Sequence, residues 1–157
     1  MQYVRQVIPS DVKLLADTMR PSDKTEIAAL SGNTPKEALL LGVSEGRYVR
    51  VLQTAGGLPV GIFGAHWEDG DNIAVIWMLA TVELENHGLT FLRHCRTVIN
   101  QLYDISNVSV LWNVVDARNA LHIKWLKWCG ASFISKKPLG LKGEDFMEFV
   151  IVRKHDV

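Results

Sequence analysis

Three charged side chains fall close together near the start of the chain: Arg20, Asp23 and Glu26. A cation beside two carboxylates can bind an amine and take its proton, which is general acid–base chemistry. The same residues can also serve helices. Asp23 and Glu26 have the spacing of a capping box, and Arg20 stands where a cation favours a helix C-terminus. The two uses are compatible. A second acidic group, Glu68-Asp69-Gly70-Asp71, follows His66 and Trp67 and has the composition of a turn. Cys95 and Cys129 lie on apolar helix faces and read as buried thiols rather than a disulfide or a metal pair. No Cys-x-x-Cys occurs and the histidines are scattered, so no metal site is expected. Gly56-Gly57 is not followed by a helix and so does not resemble a phosphate cradle.

These residues need elements to position them. Tyr3 to Ile8 alternates apolar and polar, a first strand ended by Pro9. Ser10 can N-cap a helix carrying Val12, Leu15, Ala16 and Met19 on one face. Arg20-Pro21-Ser22 breaks it, a second helix runs from about Asp23 to Ser31-Gly32, and a third opens with the capping box Thr34-Pro35-Lys36-Glu37. Three strands joined by short turns follow: Arg47 to Thr54, Pro59 to Trp67 and Ile73 to Thr81. An amphipathic helix places Phe91, Leu92, Cys95, Val98, Ile99 and Leu102 on one face and ends near Asp104. The chain closes with a strand from Val108, a helix after Asn119, and a hairpin of Ala131 to Lys136 with Phe146 to Arg153.

With 157 residues, 48% of them hydrophobic, the chain is expected to form one domain over residues 1–157 with a sizeable core. The formal net charge is zero, which argues against nucleic-acid binding driven by bulk charge. No run approaches the ~18 apolar residues of a membrane span. The first residues carry no apolar signal region, and the expected location is a reducing cytoplasm.

The most informative stretch is Val108 to Phe133: a β-branched and aromatic strand, a turn with Asp116 and Asn119, a helix, then Gly130. It resembles the C-terminal half of the GNAT acyltransferase fold. Asn119, His122, Trp125 with Leu126, Gly130 and Phe133 take the places of that family's motif. The element order matches as well. The resemblance implies an α/β (mixed α+β) GNAT fold: a mostly antiparallel sheet of about seven strands, one splayed parallel pair and flanking helices. It implies acetyl-CoA in the gap between Trp77-Met78-Leu79-Ala80 and Asn113-Val114-Val115. Met78, Leu79, Ala80, Gly88, Leu89, Arg93 and Asn119 are then the expected cofactor contacts, with the pyrophosphate on the segment from Glu85 to Leu89. Asn119 contacts the pantetheine arm in the family, and its other use is a helix N-cap. Glu68 is the expected catalytic base. Arg20, Asp23, Glu26, Trp77 and Trp112 are the expected acceptor-site residues.

Two positions depart from the family pattern. The usual glycine-rich pyrophosphate loop is replaced by Glu83, Glu85, Asn86, His87 and a single Gly88. Leu126 stands where the family often has a tyrosine general acid, and a leucine cannot protonate a thiolate. Segments Ile76–Thr81, Leu111–Asn119 and His122–Phe133, with Arg20-Pro21-x-Asp23-x-x-Glu26, also resemble small GNAT-like virion or morphogenesis proteins of tailed bacteriophages. Two functions follow as expectations. One is an N-acetyltransferase moving acetyl from acetyl-CoA to an amine of a small molecule or protein. The other is a non-catalytic scaffold for phage virion assembly or for binding a host protein. A homodimer through Phe146, Phe149 and Val150 is a further expectation, if those residues lie near a sheet edge.

Overall fold

Proline opens each of the first three helices, where its missing N–H costs no intrahelical bond. A computed structural model describes residues 3–154. The elements in chain order are β1 (Val4–Arg5), α1 (Pro9–Thr18), α2 (Pro21–Leu30), α3 (Pro35–Glu45), β2 (Tyr48–Gln53), β3 (Pro59–His66), β4 (Ile73–Ala80), α4 (Glu83–Asn86), α5 (Gly88–Ser106), β5 (Val110–Asp116), α6 (Ala120–Trp128), β6 (Ser132–Lys137) and β7 (Phe146–Val152). This is a mixed α/β fold with one seven-stranded sheet in the order β1-β2-β3-β4-β5-β7-β6. β4 and β5 are parallel, and the pairs β1–β2, β2–β3, β5–β7 and β6–β7 are antiparallel. The residues form two compact units. One holds the chain up to residue 66 with residues 77–88, and the other holds residues 67–76 with those from 89 onward.

In the first unit, α1 caps differently from the sequence expectation. Ile8, not Ser10, is its N-cap. The Asp11 carboxylate accepts the Ile8 N–H at 2.8 Å and pairs with the Arg5 guanidinium at 2.8 Å and 2.9 Å. Holding Ile8 in this cap shortens the expected strand of Tyr3 to Ile8 to Val4–Arg5. The start of α2 differs as well: Arg20 is the N-cap and Asp23 lies inside the first turn. Asp23 therefore heads no capping box, and Arg20 belongs to the start of α2. Around α3 the expectation holds, with Thr34 Oγ1 accepting from Glu37 N at 3.2 Å and Glu37 Oε1 accepting from Thr34 N at 3.1 Å. Val12, Leu15 and Met19 of the first helix and its end meet Ile27, Leu39, Val51, Ile62 and Leu79 in one buried cluster, with Trp77 packed against it.

In the second unit, β4 and β5 pair at Ile73↔Val110, Ala74↔Leu111 and Val75↔Trp112. β5 pairs with β7 along its whole length, from Val110↔Val152 to Asp116↔Phe146. β7 is thus an interior strand with Phe146 and Phe149 buried, and β6 is the edge. This corrects the premise that Phe146, Phe149 and Val150 lie at an edge. Tyr103 of α5 donates its hydroxyl to the Ile151 carbonyl at 2.5 Å. Burial pushes that phenol up to about 12. After α6 the chain reverses at Gly130, whose φ of +92° is a conformation glycine adopts without strain. Among the described residues, no helix is long and apolar enough to cross a membrane, and no group of three or more His, Cys, Asp or Glu could hold a metal ion.

Candidate functional site

The ladder between β4 and β5 ends at Val75↔Trp112, and a side chain takes over at the next position. Asn113 Nδ2 donates to the Ile76 carbonyl at 2.5 Å, and Asn113 Oδ1 accepts the Val114 N–H at 2.6 Å. The carboxamide thus satisfies two backbone groups that a continued ladder would have paired, as buried backbone groups require. The opposite end of the pair is closed. Asn72 accepts the Ser109 N–H through both its carbonyl and Oδ1, at 3.2 Å and 3.0 Å, and the Val110 N–H at 3.1 Å.

Beyond β5, Asp116 and Asn119 shape the turn into α6. Asp116 is buried, and its carboxylate accepts the Arg118 backbone N–H at 2.9 Å and the Arg118 guanidinium at 3.0 Å and 2.7 Å. The guanidinium holds the Asp116 carboxyl below the usual carboxylate range. Asn119 is the N-cap of α6: its Oδ1 accepts the His122 N–H at 3.3 Å. Its Nδ2 is buried with no hydrogen-bond partner among the described residues. A buried amide donor without an acceptor is costly, and such an atom is where a ligand carbonyl fits. Leu126, further along α6, is buried.

In the first unit, Arg20 and Asp23 are fully buried and face each other, with Nη2–Oδ1 at 2.7 Å and Nε–Oδ2 at 3.2 Å. Both also tie down the end of β4. Asp23 Oδ2 accepts the Ala80 N–H at 2.9 Å, and the Arg20 N–H donates to the Ala80 carbonyl at 2.9 Å. Ala80, an expected cofactor contact, therefore has both backbone polar groups engaged within its own unit. Leu79 is buried, and Met78 and Glu26 are partly exposed. Trp77, an expected acceptor-site residue, lies with its ring against Gly42 and Gly64. A Cβ at either glycine would come within 2.7 Å of it.

Residues 83–88 form more structure than the expected phosphate loop. Glu83–Asn86 make the short helix α4. Leu84 N–H donates to the Thr81 carbonyl, Glu85 N–H to Val82 and His87 N–H to Leu84, at 3.2, 3.2 and 3.0 Å. Those three N–H groups are thus used within the chain, and Glu83 and Glu85 are exposed carboxylates beside them. The first turn of α5 follows, and the leading N–H groups of a helix have no intrahelical acceptor. A Cβ at Gly88 would meet nothing within 4 Å, so the backbone there is open to approach. Leu89 is 75% exposed. Arg93 is exposed and lies in the second turn of α5, not the first.

Glu68 lies in the turn between β3 and β4, with its carbonyl accepting the Asp71 N–H at 3.1 Å. That turn adjoins Ile73, the hydrogen-bonded end of the parallel pair, and not the end where the ladder has stopped. Glu68 therefore lies toward the paired end of β4 and β5, opposite to the end that Asn113 closes. Trp112, on β5, donates its Nε1–H to Glu148 Oε2 at 2.6 Å, and Ser135 Oγ donates to Oε1 at 2.8 Å. These donors hold the Glu148 carboxyl below its ordinary range. Glu148 has no counterpart among the residues expected from the sequence, although an acid within the apolar run Phe146–Val152 is itself a signal. Asn113 is expected from the sequence at the gap, but its carboxamide's role in ending the ladder is visible only in the structure. Cys95 and Cys129 come together, as described below.

The fold has well-matched relatives among solved structures. Ribosomal-protein-alanine N-acetyltransferase from Brucella melitensis superimposes with a TM-score of 0.69 at 16% identity, covering 97% of this chain and 100% of that one. A GNAT-family acetyltransferase from Bacillus anthracis gives 0.70 at 11% identity, over 95% and 93% of the two chains. Spermidine N-acetyltransferase from Vibrio cholerae, solved with CoA and spermine, gives 0.69 at 14% identity over 95% and 94%. The fold is therefore that of the GNAT N-acetyltransferases. No family model matches the chain, and no curated protein matches its sequence.

Proposed function

We propose that the chain is an N-acyltransferase that moves an acetyl group from acetyl-CoA to an amine of a small molecule or a protein. The observation that carries this reading is the buried, unpartnered Nδ2 of Asn119 at the start of α6. A pantetheine amide carbonyl would supply its missing acceptor. The end of the β4–β5 ladder at Val75 supports the same placement. In the reaction the amine lone pair attacks the thioester carbonyl, the C–S bond breaks, and the thiol of CoA leaves. Leu126 offers no proton to that thiolate, so positioning of the two reactants has to supply most of the rate. The reading assigns no side chain to removal of the amine proton. It therefore favours acceptors that are partly neutral near pH 7: an α-amino group, with a pKa of about 7.7–8.0, over a lysine side chain at about 10.4.

A second reading is favoured by α4 and by Glu83 and Glu85, which take N–H groups away from an anion and set carboxylates beside it. In this reading the fold is a scaffold without catalysis, used by a tailed phage for virion assembly or to bind a host protein. Calorimetric titration with acetyl-CoA and with free CoA separates the two. Micromolar binding, followed by CoA-thiol release in the presence of an N-terminal peptide amine, is expected for the enzyme. No heat and no thermal shift at millimolar ligand would sink it and leave the scaffold.

A further inference from the structure

Two thiols separated by 34 positions in the chain meet in the second unit. Cys95 is on the buried face of α5, and Cys129 is the C-cap of α6. Their sulfur atoms are 3.0 Å apart, with the Cys129 S–H donating to Cys95. A disulfide bond is about 2.05 Å, so about 1 Å of approach would close it. Cys129 stands at a helix end, next to the glycine turn, where backbone adjustment is least restricted. The neighbouring S–H holds the Cys95 thiol below its ordinary value, with the charge of Arg96 assisting, while Cys129 keeps its proton more firmly because it donates to Cys95 and is buried. The Cys95 S–H in turn donates to the Leu92 carbonyl at 3.3 Å.

We infer that Cys95 and Cys129 form a peroxide-reactive dithiol that closes to an intramolecular disulfide joining α5 to the end of α6. Cys95 is 7% exposed, so a small oxidant such as hydrogen peroxide or another small hydroperoxide is the fitting reactant. Cys95 gives up its proton, its sulfur attacks one peroxide oxygen, the O–O bond breaks, and the departing hydroxide takes up a proton in exchange to become water. Cys95 is then a sulfenic acid. The Cys129 sulfur attacks the Cys95 sulfur, the S–O bond breaks, and the leaving hydroxide takes the Cys129 proton as a second water. Two thiols are oxidised to one disulfide and one peroxide is reduced to two waters. A thiol reductant reverses the step by exchange. This inference does not depend on acetyl transfer.

The test treats the reduced full chain with equimolar hydrogen peroxide, alkylates remaining thiols, and maps peptides without reduction. The expected result is a Cys95–Cys129 linked peptide, a mass lowered by two hydrogens, and reversal by dithiothreitol. A rise in Tm of roughly 5–15 °C is expected for the oxidised chain, because the bond closes a loop of some thirty residues in the unfolded state. In Cys129→Ser, a Cys95 sulfenic acid trapped by dimedone is expected. Two thiols still fully alkylated after peroxide, or only sulfonic acids and intermolecular dimers, would overturn the inference. The wild-type peptide map decides the matter even if the variant fails to fold.

Discussion

The guanidinium of Arg20 and the carboxylate of Asp23 lie 2.7 Å apart with neither residue exposed to solvent. Burying a charged pair costs desolvation that mutual attraction only partly returns, but removing one partner strands the other. Asp23→Ala is expected to lower stability by about 3–5 kcal/mol, and Tm by roughly 6–20 °C. The double variant Arg20→Met with Asp23→Leu should lose much less than the sum of the single changes. Denaturant melts of the wild type, Asp23→Ala, Arg20→Met, Asp23→Leu and the double variant check this. A single-variant loss below about 1 kcal/mol would mean that the pair is solvated in solution.

Asp11 gives the chain an acid limit. The Arg5 guanidinium holds its carboxyl below the ordinary 3.8, with the Ile8 N–H helping. A depressed folded-state value means that the stabilisation is complete above the unfolded pKa. It is lost as pH falls through the folded one. Tm should be flat near neutrality and fall below about pH 4, and Asp116 acts in the same direction through Arg118. Asp11→Asn should show a shallower fall in the same range. Equal slopes in the two proteins would assign the acid limit to other groups.

Asn119 has two separable uses. Its Oδ1 caps α6 and its Nδ2 awaits an acceptor. Asn119→Ala loses both, with about 1 kcal/mol of cap stability and about 3- to 10-fold of acetyl-CoA affinity. Asn119→Asp retains a capping oxygen and lacks the N–H donor, so it should melt near the wild type and bind as poorly as the alanine variant. Calorimetry paired with thermal melts resolves the two. An aspartate variant that binds acetyl-CoA at full strength would remove Nδ2 from the site.

Trp77 leaves no room for a methyl group at Gly64, where a Cβ would come within 2.7 Å of the ring. Gly64→Ala is expected to cost about 1–3 kcal/mol through overpacking. Adding Trp77→Phe should restore part of the loss, since the smaller ring vacates that volume. Urea midpoints of the single and double variants are the measurement. An additive double variant would show that the ring moves aside without help.

What was legible in the chain was whatever depended on near neighbours. The Thr34–Glu37 capping box is three residues of local geometry, and it forms as read. The amphipathic face of α5 and the strand of β-branched residues before Asn119 were equally local. Asp23 shows where such reading stops. Its spacing to Glu26 imitates a cap, yet its carboxylate is held by Ala80, 57 positions away. Order along the chain puts Glu68 at the start of β4, but which end of β4 stays paired with β5 is decided by residues far away in sequence, Asn72 with Val110 and Asn113 with Ile76. Val82 to Gly88 lacked strong helix signals, and its turn of helix is set by Thr81 and Val82 accepting from below. The meeting of Cys95 with Cys129 needs the packing of two helices that no periodicity announces.

The two outer strands of the sheet bear on how the molecule behaves in crowded solution. β1 is two residues long, too short to template another strand. β6 is longer, but ends in Lys136 and Lys137, both exposed and charged. An arriving strand would have to bring these ammonium groups against its own backbone and desolvate them, which disfavours edge-to-edge growth. The chain should therefore stay dispersed at high concentration, and neutralising both lysines should be a direct route to fibrous or amorphous self-association.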